Sequence, residues 1–575
     1  MRYVLLTLCL ALPLSAQETL IRKVYDAKTD TNVEVLALFT QPSHCGFMPM
    51  RVKISNNLPG DRSVHLDFSS TIGFRGTLQT GSAFDFTAPA GKSVTTDIMV
   101  PLASSPTSYS YGGQNTLVTN LSGSLGDGMN NLRTETNPSN PAVLMSEALF
   151  TPNASRLDAE VARTSSGGYG GSSFAGKFDP KQLTSDWLAY SGYDSMLMTD
   201  TDWTNVPAGD RNAILSWVNL GGQLIIYNTT AATAASLGLP EDPGYGKVLL
   251  QPIGSDLKLQ PSATVHLVNS GNPVRARAKA VRDDFKSGWP LQKHFGTRGF
   301  HYGVFILVLV LFGILVGPVN LFVFAKSGKR HRLFITTPLI SLGASLLLIV
   351  LIVFQDGFGG SGMRRVLMEV RPDAGQNAAF VHQEQFSRTG ILTGSRFTVD
   401  PACLLLPVPI AKSRWSRYTD NFNTSASFTL KPHDGKMTAS GDWWQSRSEQ
   451  GQSLGAVIST RGRIERTADP AKFVSTFDFP IEALYFLDED RHWHRAEHIV
   501  TGKPFTLTPI DTKIASPVIA REANEFTYRN RELLNRAQNR PGHYVAFTNQ
   551  APAINTLPGI RWQETRTVIT GPVSK

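Results

Sequence analysis

From Glu18 to about Asn140, apolar and polar positions alternate in short runs. Val33–Phe39, Met50–Ile54, Ser63–Phe68 and Ser93–Val100 read as strands, separated by Asn-Asn, Pro-Gly-Asp and Ala-Gly-Lys turns. Period-two runs at this spacing predict an antiparallel β-sandwich over residues 17–140. Beyond it the period changes. Ala142–Met145 predicts a strand, Lys181–Tyr190 a short helix and Asp194–Thr199 a buried strand. Ala208–Leu220 predicts an amphipathic helix with Ile214, Leu215, Trp217 and Val218 inward, ended by Gly221-Gly222 before a strand at Gln223–Tyr227. Strand, helix and strand with tight connections predict a parallel sheet covered on both faces over 141–255. A connecting segment, 256–301, follows.

Two stretches are apolar throughout. Tyr302–Phe324 and Leu333–Phe354 each exceed the roughly 20 residues that cross a hydrocarbon core of about 30 Å. The loop between them, 325–332, carries Lys326, Lys329, Arg330 and Arg332, and such density in a short loop marks the cytoplasmic side. At the other end of the chain, Arg2 precedes an apolar run, Val4–Leu14, and small residues at Ser15 and Ala16. This is the layout of a secretory signal peptide over 1–16, and the run is too short to span. Both features place the large portions outside, joined by a hairpin. Gly313 and Gly317 share one helix face and are expected to let the two spans approach closely. After the second span, Val366–Val370, Phe397–Val399, Leu404–Val408 and Ser425–Leu430 predict a mainly-β exported domain over 355–575. One late helix is expected over Arg521–Arg540.

Composition narrows the function classes. A chain of 575 residues needs several cores, about three to four domains. The formal charge of +9 comes from scattered Lys and Arg, without a basic stripe, so no nucleic-acid partner is expected. Cys9 would leave with the signal peptide, and Cys45 and Cys403 remain as a sparse pair with no disulfide framework.

Candidate chemistry sits in a few places. Asp200 and Asp202 follow a strand at the carboxyl edge where α/β sheets bind ligands, and with Asp186 and Asp194 nearby they could hold Mg²⁺ or Ca²⁺. The alternative is a capping loop whose acids satisfy backbone N–H groups. His492, His494 and His498 suit either a transition metal or the wet face of a hairpin turning at Asp488–Asp490. His44-Cys45 lacks a partner pair. Ser165–Ser173 is glycine-rich but lacks the Lys-Ser/Thr ending of a phosphate loop. Trp443-Trp444 suits a sugar platform or a core.

The stretches YSGYDSMLMTDTDW and RNAILSWVNLGGQLIIYN, with GYGKV at Gly244–Val248, GPVN at Gly317–Asn320 and RSEQGQSLGAVISTRGRI, carry a resemblance. Over roughly 140–470 the chain resembles the class I glutamine amidotransferase-like domains of uncharacterised bacterial envelope membrane proteins. The resemblance implies a flavodoxin-like α/β domain between a β domain and a membrane segment. It does not carry the chemistry. Amidotransfer needs a Cys nucleophile with a His beside it, yet no Cys lies between Cys45 and Cys403 and no His between His65 and His266. The expectation is a two-pass inner-membrane scaffold or binding protein with a degenerate amidotransferase-like domain and no cofactor. Its partners would be the membrane and other envelope proteins. The alternative is a metal-dependent hydrolase using Asp200 and Asp202.

Overall fold

The computed structural model describes residues 18–41, 43, 45–72, 78–103, 113–136, 141–164, 173–230, 232–269, 289–296, 302–372, 377–410, 413, 415–417, 419 and 425–574. The expected signal peptide, His44 and all but the last residue of the Ser165–Ser173 loop lie outside these residues.

The alternating runs of the N-terminal portion become two facing sheets. One has four strands, in the order Glu18–Asp26, Thr31–Ala37, Phe47–Asn56 and Lys92–Pro101. The other contains Leu78–Ala88, Arg62–Ile72, Gly113–Gly123 and Gly128–Thr136 in that order. Alternate residues point inward, so Val33, Val35, Met50, Val52 and Ile54 meet Val64, Leu66, Phe68 and Leu117 in one core. The second sheet does not end there. Strand Ala426–His433, from beyond both apolar helices, pairs in parallel with Leu78–Ala88, matching Ala426 to Leu78 and Thr429 to Gly81. Lys436–Gly441 and Phe397–Val399 extend it to seven strands. The β portions before and after the two apolar helices are therefore hydrogen-bonded to each other. They share a sheet.

The middle portion is a five-stranded parallel sheet in the order Gly176–Phe178, Val143–Ser146, Ser195–Thr199, Gln223–Asn228, Lys247–Pro252. Counted along the chain, that order is second, first, third, fourth, fifth. Helix Ala208–Asn219 covers one face with Ile214, Trp217 and Val218. Helix Glu147–Thr164 covers the other, and Pro261–Asn269, from the expected connecting segment, packs beside it through Val265 and Val268. The short helix near Tyr190 is a single 3₁₀ turn, Trp187–Tyr190, capped by Asp186.

A nine-stranded sheet organises the C-terminal portion. Its middle is Ala378–Thr389, Gly360–Arg371 and Ile560–Pro572, with the last two parallel. The late helix is two helices, Thr512–Ala523 and Tyr528–Ala537, because Phe526 turns into the core and the chain restarts at Thr527.

Two helices are long and apolar enough to cross a membrane, Tyr302–Phe324 with 23 residues and Arg330–Asp356 with 27. Pro318 removes a backbone donor in the first, and Leu315–Phe324 widens into a π-helix around it. The expected glycine contact is not made. A Cβ placed on Gly313, Gly317 or Gly343 meets nothing within 4 Å among the described residues. Asn320 pins the pair instead: it is fully buried, donates Nδ2–H to Thr337 Oγ1 at 2.9 Å, and accepts from Thr336 Oγ1 at 2.6 Å. Small residues can face away from a helix pair, whereas a buried amide in an apolar hairpin must find partners. Gly317→Leu should therefore leave the thermal midpoint in detergent unchanged. Asn320→Leu should lower the hairpin's stability by about 1 kcal/mol.

Both ends of the hairpin are fastened to the nine-stranded sheet. Before the first helix, Trp289 and Phe295 lie against Phe386, with ring centroids 6.0 and 5.4 Å away. After the second, Asp356 pairs with Arg447 at 2.5 Å, and Gly390 sits so close that a Cβ there would meet Asp356 O at 2.2 Å.

Candidate functional site

The acids flagged in the sequence all lie around the parallel sheet, and each is bonded to the chain around it. Thr199 and Asp202 form a reciprocal cap on helix Asp200–Asn205. Thr199 Oγ1 accepts from Asp202 N at 3.0 Å, and Asp202 Oδ2 accepts from Thr199 N at 3.2 Å. The same Oδ2 accepts from Ser146 Oγ at 2.6 Å, which ties the first and third strands together at the carboxyl edge. Asp200, 2% exposed, receives Thr229 N at 3.1 Å, Thr229 Oγ1 at 2.7 Å, Thr230 N at 3.0 Å and Thr230 Oγ1 at 2.6 Å. Burial alone would raise the Asp200 carboxyl, but these threonine donors outweigh it and bring it down to about 2. Asp194 accepts from Ala142 N at 2.9 Å, and Asp186 from Leu188 N at 2.9 Å.

Asp200 and Asp202 thus share a helical turn while their carboxylates serve different partners. A divalent cation needs open oxygen lone pairs. Here it would have to displace the threonine donors from Asp200, so the surroundings do not fit a preformed metal cage.

Elsewhere, His494 Nε2 lies 2.9 Å from Asp488 Oδ2, and His492 Nδ1 lies 3.8 Å from the same oxygen, at the expected hairpin. Trp443 and Trp444 are core residues, 2% and 1% exposed. Cys45 and Cys403 are buried free thiols, and burial together with Asp400 pushes the Cys403 thiol up to about 12. A thiol held that high is a poor nucleophile at neutral pH.

The strongest electrostatic feature was not flagged from sequence. Asp242 precedes the last strand of the parallel sheet, Glu369 and Arg371 share one face of the central strand Gly360–Arg371, and Arg540 and His543 flank a turn near the C-terminus. Arg540 reaches Asp242 Oδ1 at 2.9 Å and both oxygens of Glu369, at 2.8 and 2.9 Å. Arg371 Nη1 lies 2.6 Å from Asp242 Oδ2, and His543 Nε2 lies 2.8 Å from the same oxygen. Thr570 Oγ1 donates to Glu369, and the Tyr245 hydroxyl lies 3.0 Å from Thr570 Oγ1. Burial alone would raise the Asp242 carboxyl; His543, Arg540 and Arg371 together hold it well below the usual carboxylate range.

Asp242, Glu369 and His543 offer ligand atoms within 4.8 Å of one another, as a metal site would. Arg371 and Arg540 already supply two positive charges to the two carboxylates, so the cluster balances without an ion. It clamps the parallel sheet to the nine-stranded one. Only the pairing of Glu369 with Arg371 two residues apart on an apolar strand hinted at it.

A second knot lies on the neighbouring strand. Glu384 is 2% exposed and accepts from Trp289 Nε1 at 3.0 Å, Thr527 N at 3.2 Å and Asn530 Nδ2 at 2.6 Å. Burial raises its carboxyl, opposed by these donors. It joins the segment before the first apolar helix to the start of helix Tyr528–Ala537.

No family model matches the chain, and no curated relative does. Among solved structures, a calcium-binding mutant of Bacteroides uniformis beta-glucuronidase 2 is similar over 44% of this chain and 31% of its own, at 10% identity. The match spans less than a third of that protein's length, and its TM-score of 0.15 is too low to bear on the fold.

Proposed function

We propose that this chain is an envelope scaffold or binding protein, held in the inner membrane by a two-helix hairpin, with its folded mass on the non-cytoplasmic side. The observation that carries this reading is the shared sheet. Strands before and after the apolar pair hydrogen-bond to each other, so the pair leaves one body and returns to it. The apolar side chains it projects, among them Phe322, Phe334 and Leu339, are 71%, 85% and 67% exposed, a surface that suits hydrocarbon. The basic loop at Lys326–Arg332 and the export-like N-terminus favour a cytoplasmic tip and an exported body.

The parallel strand order two, one, three, four, five supports a flavodoxin-like, amidotransferase-like reading of the middle portion. Its crevice is stitched by Ser146 and Asp202 and its acids are spent on caps and on hydrogen bonds to neighbouring loops, which supports a domain kept for shape. Other envelope proteins are the expected partners.

The test separates scaffold from metal-dependent hydrolase. Asp200→Asn combined with Asp202→Asn should cost about 1–3 kcal/mol of stability, because Asn cannot accept from all the donors around Asp200. Proteins cross-linked to the chain in intact membranes should still be recovered with it. Loss of cellular function with normal abundance and unchanged cross-linking would favour the hydrolase.

A further inference from the structure

Arg364 lies on the central strand of the nine-stranded sheet and is 5% exposed. Its guanidinium carbon sits 3.8 Å from the Trp562 ring centroid. Among the described residues no carboxylate pairs with it, and its Nε–H has no partner. The strand register explains the isolation. Arg364 is opposite Gln385, and the positions around it on the same face are Gln383, Ser387, Gln450 and Gln452, all neutral. Burial, with no acid opposing it, lowers the guanidinium to about 10.

A desolvated cation without a counter-ion is costly, and a bound anion would supply the missing charge. The surroundings point the same way. A Cβ on Gly362 would meet Trp562 Cζ3 at 2.7 Å and Ser387 Cβ at 2.9 Å, so Ser387 and Trp562 border the same glycine. Trp444 is next, with its ring centroid 6.4 Å from that of Trp562. Among the described residues, Ser387 Oγ and Trp444 Nε1 are buried and without hydrogen-bond partners, and so is one acceptor, Gln450 Oε1. Ser387 and Gln450 are cross-strand neighbours that leave each other unbonded.

We propose that Arg364, Ser387, Trp444 and Trp562 form a binding site for a phosphate group. Three donors on three separate side chains suit a tetrahedral oxyanion, which offers oxygens in several directions, better than a planar carboxylate. Gln450 Oε1 would accept a hydrogen bond from a phosphate hydroxyl or from an alcohol beside it. The site is at the end of the sheet nearest the hairpin. Trp562 is the register partner of Gly362, and strand Gly360–Arg371 starts just after Asp356, the last residue of the second apolar helix. Either a free phosphate or a phospholipid headgroup could bring the group there. The phosphate arm of the test needs only the site, whereas the lipid arm also rests on the membrane reading.

The full chain in neutral detergent is titrated with inorganic phosphate at constant ionic strength, following tryptophan fluorescence and the thermal midpoint. In parallel it is placed in nanodiscs of phosphatidylglycerol or phosphatidylcholine, and lipid retained on extraction is measured by native mass spectrometry. Saturable phosphate binding assigns a free anion. Selective retention of phosphatidylglycerol without phosphate binding assigns a headgroup. Arg364→Met should weaken whichever signal is seen about tenfold or more, with Arg364→Lys between it and the wild type. Ser387→Ala and Trp444→Phe leave the cation in place and should each weaken it by a smaller factor. They decide the matter if Arg364→Met does not fold. The proposal is overturned if the wild type responds to neither probe. It is also overturned if Arg364→Met binds as well as the wild type, or if neither Ser387→Ala nor Trp444→Phe changes binding.

Discussion

Replacing Asp242 by Asn is expected to lower the unfolding free energy by about 3 kcal/mol, read as a shift of the denaturant midpoint of the full chain in detergent. The change removes one negative charge facing Arg371, Arg540 and His543, and leaves those groups, with side chains only 11%, 18% and 12% exposed, around an amide. Losing one member of a buried ion pair costs about 3–5 kcal/mol. The low end applies because Glu369 still faces both guanidiniums, at 2.8 Å from Arg540 and 3.6 Å from Arg371. Adding Arg371→Met should recover part of the loss, since the second change removes a cation that the first left unpaired. A pH profile checks the same cluster. The folded Asp242 carboxyl lies below its unfolded value, so its contribution is complete above about pH 5 and fades as the pH falls. Wild type should lose more stability than Asp242→Asn between about pH 5 and about pH 3.

Gly192→Ala should be the other severe change, lowering stability by about 1–3 kcal/mol or more. The N-terminal sandwich reaches the parallel sheet through the loop around Ser43–Gly46. A Cβ on Gly192 would meet both Cys45 O and Ser43 Oγ at 2.0 Å. Neither can retreat easily, because Ser43 Oγ donates to Cys45 O at 2.6 Å and Gly46, at φ 77°, packs so closely that a Cβ on it would lie 2.8 Å from Gly192 N. Tyr193 holds the adjoining chain by donating its hydroxyl to Gln41 O at 2.5 Å. The two portions would have to separate or the loop refold. Gly209→Ala is the matched control. It lies in the helix Ala208–Asn219, where among the described residues a Cβ meets only Ser185 Cβ at 3.5 Å, so alanine should be neutral or slightly stabilising.

Local pattern made part of this molecule legible. Val33, Val35, Met50, Val52 and Ile54 alternate, and they line the sandwich core. Asp194–Thr199 and Gln223–Tyr227 are continuous apolar runs, and they pair in parallel at the centre of a covered sheet. Helix Glu147–Thr164 was not read, because Pro152 and a largely polar surface obscure its period. Long-range pairing left no local trace either. Nothing in residues 426–433 announces that they complete a sheet begun by residues 78–88. The place of Asp200 and Asp202 at the carboxyl edge was legible, but the use of Asp200 depends on Thr229 and Thr230, one strand later. The clamp around Asp242 draws on three distant segments, so no spacing rule could have assembled it. Gly313 and Gly317 had the spacing of a helix contact and make none, because Asn320 and the π-helix set how the pair meets.

The central claim is a single exported body on a membrane hairpin, and thiol accessibility in intact spheroplasts tests it most directly. Cys45 and Cys403 are buried and should give little background. Single cysteines are placed at Asp127, before the hairpin, at Ser446, after it, and at Ser327 in the basic loop, all exposed positions. With a membrane-impermeant reagent, Asp127→Cys and Ser446→Cys should both label, and Ser327→Cys should label only after the inner membrane is broken. Labelling of Ser327→Cys in intact spheroplasts, or labelling of only one of Asp127→Cys and Ser446→Cys, would contradict the account.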